Sequence, residues 1–210
     1  MTQPFQRETL KILGVSLDKI IASDKHPHIE AKELIVPSFS GYLGWLSPWG
    51  LKFLRDKFLT PLLEENTTYP ERIYICRRRA RHRRVLNEEV VIDYLKTRGF
   101  VPISLETLSF QEQINQFAKA KVIIAPHGSG LTNLIFCSPQ TKVIELFSPN
   151  YIRYYFWVIS QQLALQHYFL LGETIFSQFL RELMYQTVLS EDIWLNLERL
   201  KKVLDQAQIY

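Results

Sequence analysis

From Glu71 onward, short apolar runs alternate with segments whose apolar residues recur at helical spacing. We predict strands at residues 72–76, 100–103, 121–125, 142–147 and 168–171, with helices between them from Asn87 to Gly99, from Ser109 to Lys119 and over 151–166. The strand runs are apolar without alternation, which is typical of a parallel sheet that helices cover on both faces. The pattern therefore predicts an α/β fold with a Rossmann-like parallel sheet.

The two ends of the chain follow a different pattern. The first part is irregular, with a helix predicted from Ser47, as its cap, and Pro48 to about Glu65. In the tail, apolar residues that share one helical face are expected to pack on the body of the protein and to return towards the first part: Ile193, Leu197, Leu200 and Leu204. We predict a partial N-terminal domain over 1–68, the sheet domain over 69–171 and a C-terminal helical tail over 172–210.

The composition is that of a globular protein, with 47% hydrophobic and 22% charged residues among 210. No apolar run reaches the ~18 residues of a membrane-spanning helix, and the N-terminus lacks the order of a signal peptide. Peripheral membrane association is compatible with this pattern. Cys76 and Cys137 lie in or beside apolar runs, which favours buried free thiols and a cytoplasmic location. Two cysteines are too few for a zinc site built from cysteines.

Six arginines fall within eight positions: Arg77, Arg78, Arg79, Arg81, Arg83 and Arg84. Without them the net charge of +4 becomes about −2, so the chain has one cationic segment and is otherwise mildly acidic. Guanidinium groups bind phosphate in bidentate fashion. We expect one or two to face a ligand, Arg77 first because it directly follows a strand, and Arg84 second. A solvated charge run and nucleic-acid binding are the alternatives, but no aromatic residues are interleaved as nucleic-acid binding would favour.

A glycine-containing turn, His127 to Gly130, follows the strand at 121–125 and leads into a short helix predicted through Phe136. Glycines let the backbone approach an anion closely, and the N–H groups at a helix start bind phosphate. An ordinary tight turn with a packed histidine is the alternative. Because ligands bind at the carboxyl ends of parallel strands, the turn and the arginine segment together predict an anion site.

One carboxylate, Glu145, falls inside the apolar strand at 142–147, where it is costly unless paired. It is predicted either to bind a ribose hydroxyl or to pair with an arginine. Gln113, early in its helix, is expected to be exposed unless it contributes to the site. The chain contains no Asp-x-Asp, G-x-x-x-x-G-K-[ST] or G-x-S-x-G motif.

The series of motifs resembles glycosyltransferase family 61 over about Leu10 to Val203. The resemblance rests on residues 72–77, 83–88, 99–100, 108–114, 127–133 and 143–146 in their order and spacing. It departs from the family at Cys76, where a serine is usual, and before Leu10, where the family has roughly another hundred residues. The chain is therefore expected to begin inside an incomplete N-terminal domain, and the catalytic base is left unassigned.

The resemblance implies a two-domain GT-B fold and an inverting, metal-independent transfer from a nucleotide sugar, here a UDP-sugar, to a glycan or polysaccharide acceptor. It implies no cofactor, and bacterial members of the family are usually described as capsular polysaccharide biosynthesis proteins. No nucleic-acid partner is expected, because the arginine segment lacks interleaved aromatic residues. The implied nucleotide-sugar-binding residues are Arg77, Arg84, Asn87, Gln113, His127, Gly128, Ser129, Gly130, Leu131, Thr132, Asn133 and Glu145. A non-catalytic nucleotide-sugar-binding subunit is the first alternative function, and an RNA-binding protein is the second.

Overall fold

The computed structural model describes residues 4–42, 45–64, 66–175 and 177–210. Its main feature is a five-stranded parallel sheet in the order β4-β3-β5-β6-β7, and a two-stranded antiparallel hairpin, β1-β2, precedes it. The strands are β1 Gly41–Tyr42, β2 Trp45–Leu46, β3 Arg72–Ile75, β4 Val101–Ile103, β5 Val122–Pro126, β6 Lys142–Phe147 and β7 Gln166–Leu171. The predicted α/β fold with a parallel Rossmann-like sheet is confirmed, and its order is one of the two common doubly wound orders.

Helices cover both faces of this sheet. The helices of the described residues are α1 Pro4–Ile12, α2 Pro48–Leu54, α3 Thr60–Leu62, α4 Glu88–Lys96, α5 Phe110–Lys119, α6 Tyr155–Gln162, α7 Gln178–Met184 and α8 Leu197–Gln206, with a π-helical turn at Arg55–Leu59 and 3₁₀ helices at Leu17–Lys19, Leu105–Thr107, Ser129–Phe136 and Val188–Ser190. Helices α5 and α6 pack with the 3₁₀ helix Ser129–Phe136 against one face, in a core that includes Ile73 and Ile123. Helices α4 and α8 pack against the other, around Tyr74 and Ile124.

Local sequence signals account for several helix ends. Ser109 and Glu112 form a capping box at the start of α5, since each side chain accepts from the backbone N–H of the other. Ser47 accepts from the N–H of Gly50 at the start of α2, as predicted. Gly99 has φ of 77° just after α4, where glycine adopts the left-handed conformation without a steric penalty.

The bounds of one predicted helix and one predicted helix cap were wrong. The helix expected over 151–166 is restricted to Tyr155–Gln162, because Tyr151 first closes a turn onto Ser148 and Ala164 adopts a left-handed φ of 54° before β7. Asn87 precedes α4 but its side chain does not cap the helix. The predicted end of the first long helix, at Glu65, lies outside the described residues.

The tail packs on the sheet, as predicted, through Leu200 and Leu204, which are fully buried beside α4. This part of the tail therefore lies against the sheet domain. Ile193 precedes α8 and forms a parallel bridge with Val85. Both cysteines are free and buried. Within the described ranges no helix has the length and apolar character needed to cross a membrane.

Candidate functional site

The site lies where the sheet order reverses, between the neighbouring strands β3 and β5. The chain leaves β3 towards α4 on one face and leaves β5 towards the 3₁₀ helix Ser129–Phe136 on the other. The two connections diverge at the carboxyl edge, and doubly wound folds bind their ligands in the crevice between such connections. The arginine segment and the His127 turn form the two sides of this crevice.

Arg77 and Gly128 contact each other across the crevice. A Cβ built on Gly128 would overlap the Arg77 Nη1 atom and would lie 2.9 Å from Cζ. The φ of Gly128 is 168°, an extended conformation that any residue can adopt. Glycine therefore permits this close approach of the guanidinium, which a larger residue would displace, and the predicted proximity of the two strand ends is present in the structure.

The polypeptide around Arg77 holds the guanidinium in a partly desolvated place. The Arg77 N–H donates to Oε1 of the buried Glu88 at 3.2 Å, and its Nη2 donates to the carbonyl of His82 at 3.2 Å. Its Nε is buried and has no hydrogen-bond partner within the described part of the chain. Burial, followed by the nearby Arg83, lowers the pKa of Arg77. An anion in the crevice would offset both effects, since it would pair with Nε and attract both cations.

Arg83 lies on the opposite side of the same turn. Its Nε donates to the carbonyl of His127 at 3.1 Å, and its Nη1 donates to the carbonyl of Leu189 at 2.9 Å. Its guanidinium is 5.3 Å from the ring centre of Tyr151, within the range of a cation–π contact. Its φ is 55°, a conformation that non-glycine residues rarely adopt and that directs the chain into this contact. Arg83 was not among the predicted site residues.

The turn after β5 continues as a 3₁₀ helix over Ser129–Phe136. Its first turn leaves backbone N–H groups without intrahelical partners, beside the two arginines. Ser129 and Thr132 are exposed, whereas Leu131 is buried and anchors the helix in the core. A Cβ on Gly130 would lie 2.8 Å from the Leu105 side chain, so the loop after β4 closes a third side of the crevice.

Glu145 on β6 is fully buried, and both of its oxygens contact histidines. Oε1 lies 2.5 Å from Nδ1 of His127, and Oε2 lies 3.0 Å from Nε2 of His167. The expected alternative of an arginine partner is therefore wrong. Only 1% of its side chain is exposed, so direct contact of this carboxylate with a ribose would require the histidines to move.

Three predicted site residues make contacts away from the Arg77–Gly128 pair. Arg84 forms an ion pair with the buried Asp192, in which Nη2 and Nε both donate to Oδ2, at 2.7 and 3.2 Å. Asn87 exchanges two hydrogen bonds with the backbone of Leu195. Gln113 donates to the carbonyls of Leu105 and Leu108, and it accepts from Asn133 at 3.0 Å. Arg84 and Asn87 thus fix the tail, and Gln113 and Asn133 fix the loop after β4.

Arg84→Gln is expected to lower the free energy of unfolding by up to about 1 kcal/mol. The substitution removes a half-exposed guanidinium, so the Asp192 carboxylate loses its charged partner. UDP affinity should change less than about twofold. Urea unfolding and calorimetric titration with UDP measure the two effects, with Arg79→Gln as the control for loss of one positive charge. A tenfold loss of affinity in Arg84→Gln alone would return Arg84 to the site.

Sequence reasoning missed Glu88 and His167 as well as Arg83. Glu88 looked like a helix-start acid, yet its carboxylate accepts from the N–H of Arg77 and the hydroxyl of Tyr74. His167 lies just before the strand predicted at 168–171, and the only signal for its role was an unpaired acid, Glu145, on an adjacent strand. Such side-chain pairings depend on strand order and register, which the pattern of the chain does not give.

The sheet order defines a doubly wound α/β protein, and two arginines, Arg77 and Arg83, lie at its switch point. A model of the family Glycosyltransferase 61 matches residues 4–144. Because this match covers more than half of the chain, the protein belongs to glycosyltransferase family 61. The match includes the arginine segment, the His127 turn and the first half of β6, as far as Ile144.

Individual relatives support the family assignment over shorter stretches. Beta-1,2-xylosyltransferase RCN11 of Oryza sativa subsp. japonica is 38% identical over 61 residues, which is 29% of this chain and 11% of the relative. A beta-1,2-xylosyltransferase of Arabidopsis thaliana is 28% identical over 98 residues, which cover 40% of this chain and 18% of the relative. An EGF domain-specific O-linked N-acetylglucosamine transferase of Gallus gallus is 29% identical over 82 residues, which cover 37% of this chain and 15% of the relative. The aligned segments thus cover less than a fifth of these relatives.

Proposed function

We propose that this chain binds a nucleotide sugar, specifically a UDP-sugar, in the crevice between β3 and β5 and takes part in sugar transfer to a glycan or polysaccharide acceptor. The observation that carries the proposal is the Arg77 guanidinium, held against Gly128 with a buried Nε that has no hydrogen-bond partner among the described residues. Its position at the switch point fits a nucleotide. Two of the named relatives are xylosyltransferases and one transfers N-acetylglucosamine, which supports glycosyl transfer as the reaction.

In the proposed mechanism, Arg77, Arg83 and the backbone N–H groups of the Gly128–Asn133 turn bind the diphosphate. They stabilise the negative charge that develops on the departing nucleotide, as preorganised donors do in a partly desolvated site. Arginines in this role replace a metal ion, so we propose metal-independent transfer. We further propose inversion at the sugar carbon, with the acceptor hydroxyl deprotonated by a group that remains unassigned.

We propose that the sheet domain, over 69–171, is the nucleotide-binding half of a GT-B enzyme and that residues 1–68 belong to the acceptor-side domain. The tail over 172–210 then serves as a brace, since Arg84, Asn87 and Arg83 all contact it. Within the arginine segment, four side chains bind other groups of the protein: Arg77, Arg78, Arg83 and Arg84. Arginines held in this way argue against a diffuse surface that binds polyanions.

The test is calorimetric titration of the whole chain with UDP, with and without EDTA. We expect saturable 1:1 binding that EDTA leaves unchanged, since guanidinium and N–H donors carry the phosphate charge. A requirement for manganese would contradict metal independence, and absence of binding would contradict the site. A steep fall of RNA binding with salt, together with no UDP binding, would favour the RNA alternative.

The non-catalytic alternative needs a separate measurement. Incubation with a labelled UDP-sugar, with and without added glycan, distinguishes the two functions: hydrolysis or transfer supports an enzyme, whereas saturable binding without turnover supports a nucleotide-sugar-binding subunit. Arg77→Gln serves as the control, because it should abolish turnover that arises from this crevice and should leave a contaminating activity unchanged.

A further inference from the structure

A buried chain of hydrogen bonds runs beneath the crevice through four side chains, Ser160, His167, Glu145 and His127, which we call the buried relay. Oγ of Ser160 lies 2.8 Å from Nδ1 of His167, and Nε2 of His167 lies 3.0 Å from Oε2 of Glu145. Nδ1 of His127 then lies 2.5 Å from Oε1 of Glu145. All four side chains are almost completely buried, so water cannot supply or remove hydrogens freely.

Counting hydrogens along the buried relay sets the protonation of His167. Oγ of Ser160 lies 2.8 Å from the carbonyl oxygen of Phe156, and a carbonyl can only accept, so the single hydroxyl hydrogen points there. Ser160 must then accept from Nδ1 of His167, while an ionised Glu145 must accept from Nε2. Both nitrogens of His167 therefore carry a hydrogen, and its imidazole is positively charged.

The positive charge on His167 determines the protonation state that is expected of His127. A buried carboxylate is costly unless it is paired, and the His167 imidazolium already pairs with Glu145. His127 donates from Nδ1 to Oε1 without needing a charge of its own. Two cations lie beside it, Arg83 on its carbonyl and Arg77 at Gly128, and the Tyr151 and Tyr155 rings lie at 5.4 and 6.3 Å. Among the contacts of His127 in the described part of the chain, the one carboxylate is Glu145. Two neighbouring arginines disfavour another cation.

We infer that Ser160, His167 and Glu145 are positioning residues that hold His127 as a neutral imidazole with its hydrogen on Nδ1. Nε2 of His127 is then a hydrogen-bond acceptor. The next step rests on the proposed function. The group that donates to Nε2 of His127 is a hydroxyl of the nucleotide sugar or of the glycan acceptor, because unprotonated phosphate oxygens have no hydrogen to donate. In this arrangement the arginines bind the phosphates, and Nε2 of His127 accepts a hydrogen bond from a hydroxyl beside them.

The first test uses the full chain without ligand, labelled with ¹⁵N-histidine and observed at neutral pH by two-bond ¹H–¹⁵N NMR. His127→Gln and His167→Gln assign the signals among the five histidines. We expect His127 to be protonated on Nδ1 alone and His167 on both nitrogens. A hydrogen on Nε2 of His127, or a neutral His167, overturns the inference, and the unmutated protein alone decides this outcome.

The second test removes the charge of His167 and measures whether His127 takes it up. In His167→Gln the amide can still donate to Glu145 but carries no charge, so His127 is expected to become doubly protonated in order to neutralise the buried carboxylate. Glu191→Gln, in which another buried acid bound to Asn150 is changed, should leave both histidines as they were. A purely structural role for His167 predicts an unchanged His127 spectrum, which would contradict the charge coupling.

The third test adds UDP to the labelled protein. If UDP binds, His127 should stay neutral, whereas a change to the doubly protonated form would mean that it meets phosphate and would overturn the hydroxyl assignment. If UDP does not bind, the proposed function fails, while the spectra of the free protein still decide the state of the buried relay. The two failures are therefore distinguishable.

Discussion

Replacement of Arg77 by glutamine is expected to weaken UDP binding about tenfold or more, while Arg79→Gln and Arg81→Gln leave it nearly unchanged. A charged hydrogen bond to a desolvated phosphate contributes ~1.5–3 kcal/mol, and 1.4 kcal/mol corresponds to about a factor of ten in affinity. Arg77 is partly buried against Gly128, whereas Arg79 and Arg81 are exposed. Any effect of the exposed pair is expected to be small and to disappear at high salt.

Calorimetric titration of the three variants with UDP at moderate ionic strength makes the comparison, and thermal unfolding shows whether each is folded. The three substitutions remove the same charge from one eight-residue segment, so they differ mainly in position. Equal losses in all three would indicate a diffuse cationic patch, and the proposed diphosphate site would then be untenable. A loss in Arg77→Gln that persists in salt would support a desolvated contact.

The architecture could be predicted because its signals are local and repeated. Apolar runs without alternation gave the five parallel strands, and the Ser109–Glu112 pair gave the start of α5. The alternation of Ile73 and Tyr74 between the two cores follows from the period of two in a strand. The boundaries of α6 were missed because a turn at Ser148 and a left-handed Ala164 interrupt an otherwise helical apolar pattern.

The site was predictable only in part, because proximity to a strand end does not determine where a long side chain goes. Arg77 and the His127 turn do lie together, yet the neighbouring residues Arg83 and Arg84 diverge. The left-handed φ of Arg83 directs its guanidinium to His127, while Arg84 turns to Asp192 in the tail, 108 positions away. No local pattern encodes that distant partner. The same holds for His167, whose pairing with Glu145 depends on neighbouring strands.

Gly128→Ala is expected to weaken UDP binding about as much as Arg77→Gln, although it removes no charge and no donor. The new methyl group would occupy the position of the Arg77 Nη1 atom. The backbone at Gly128 is extended, with φ of 168°, so alanine fits the main chain, and the end of a flexible arginine can move aside. The protein should therefore fold with little loss of stability while the guanidinium leaves the crevice. UDP titration and thermal unfolding measure the two effects.

The double variant Arg77→Gln/Gly128→Ala separates this explanation from a direct effect on the turn. If the methyl group acts only by displacing Arg77, the double variant should bind UDP no more weakly than the weaker single variant, because the same contact cannot be lost twice. Additive losses would mean that Gly128 contributes independently, through close approach of its own backbone to the phosphate. Unchanged binding in Gly128→Ala, with Arg77→Gln still impaired, would show that Arg77 reaches the ligand from a conformation other than the one packed on Gly128.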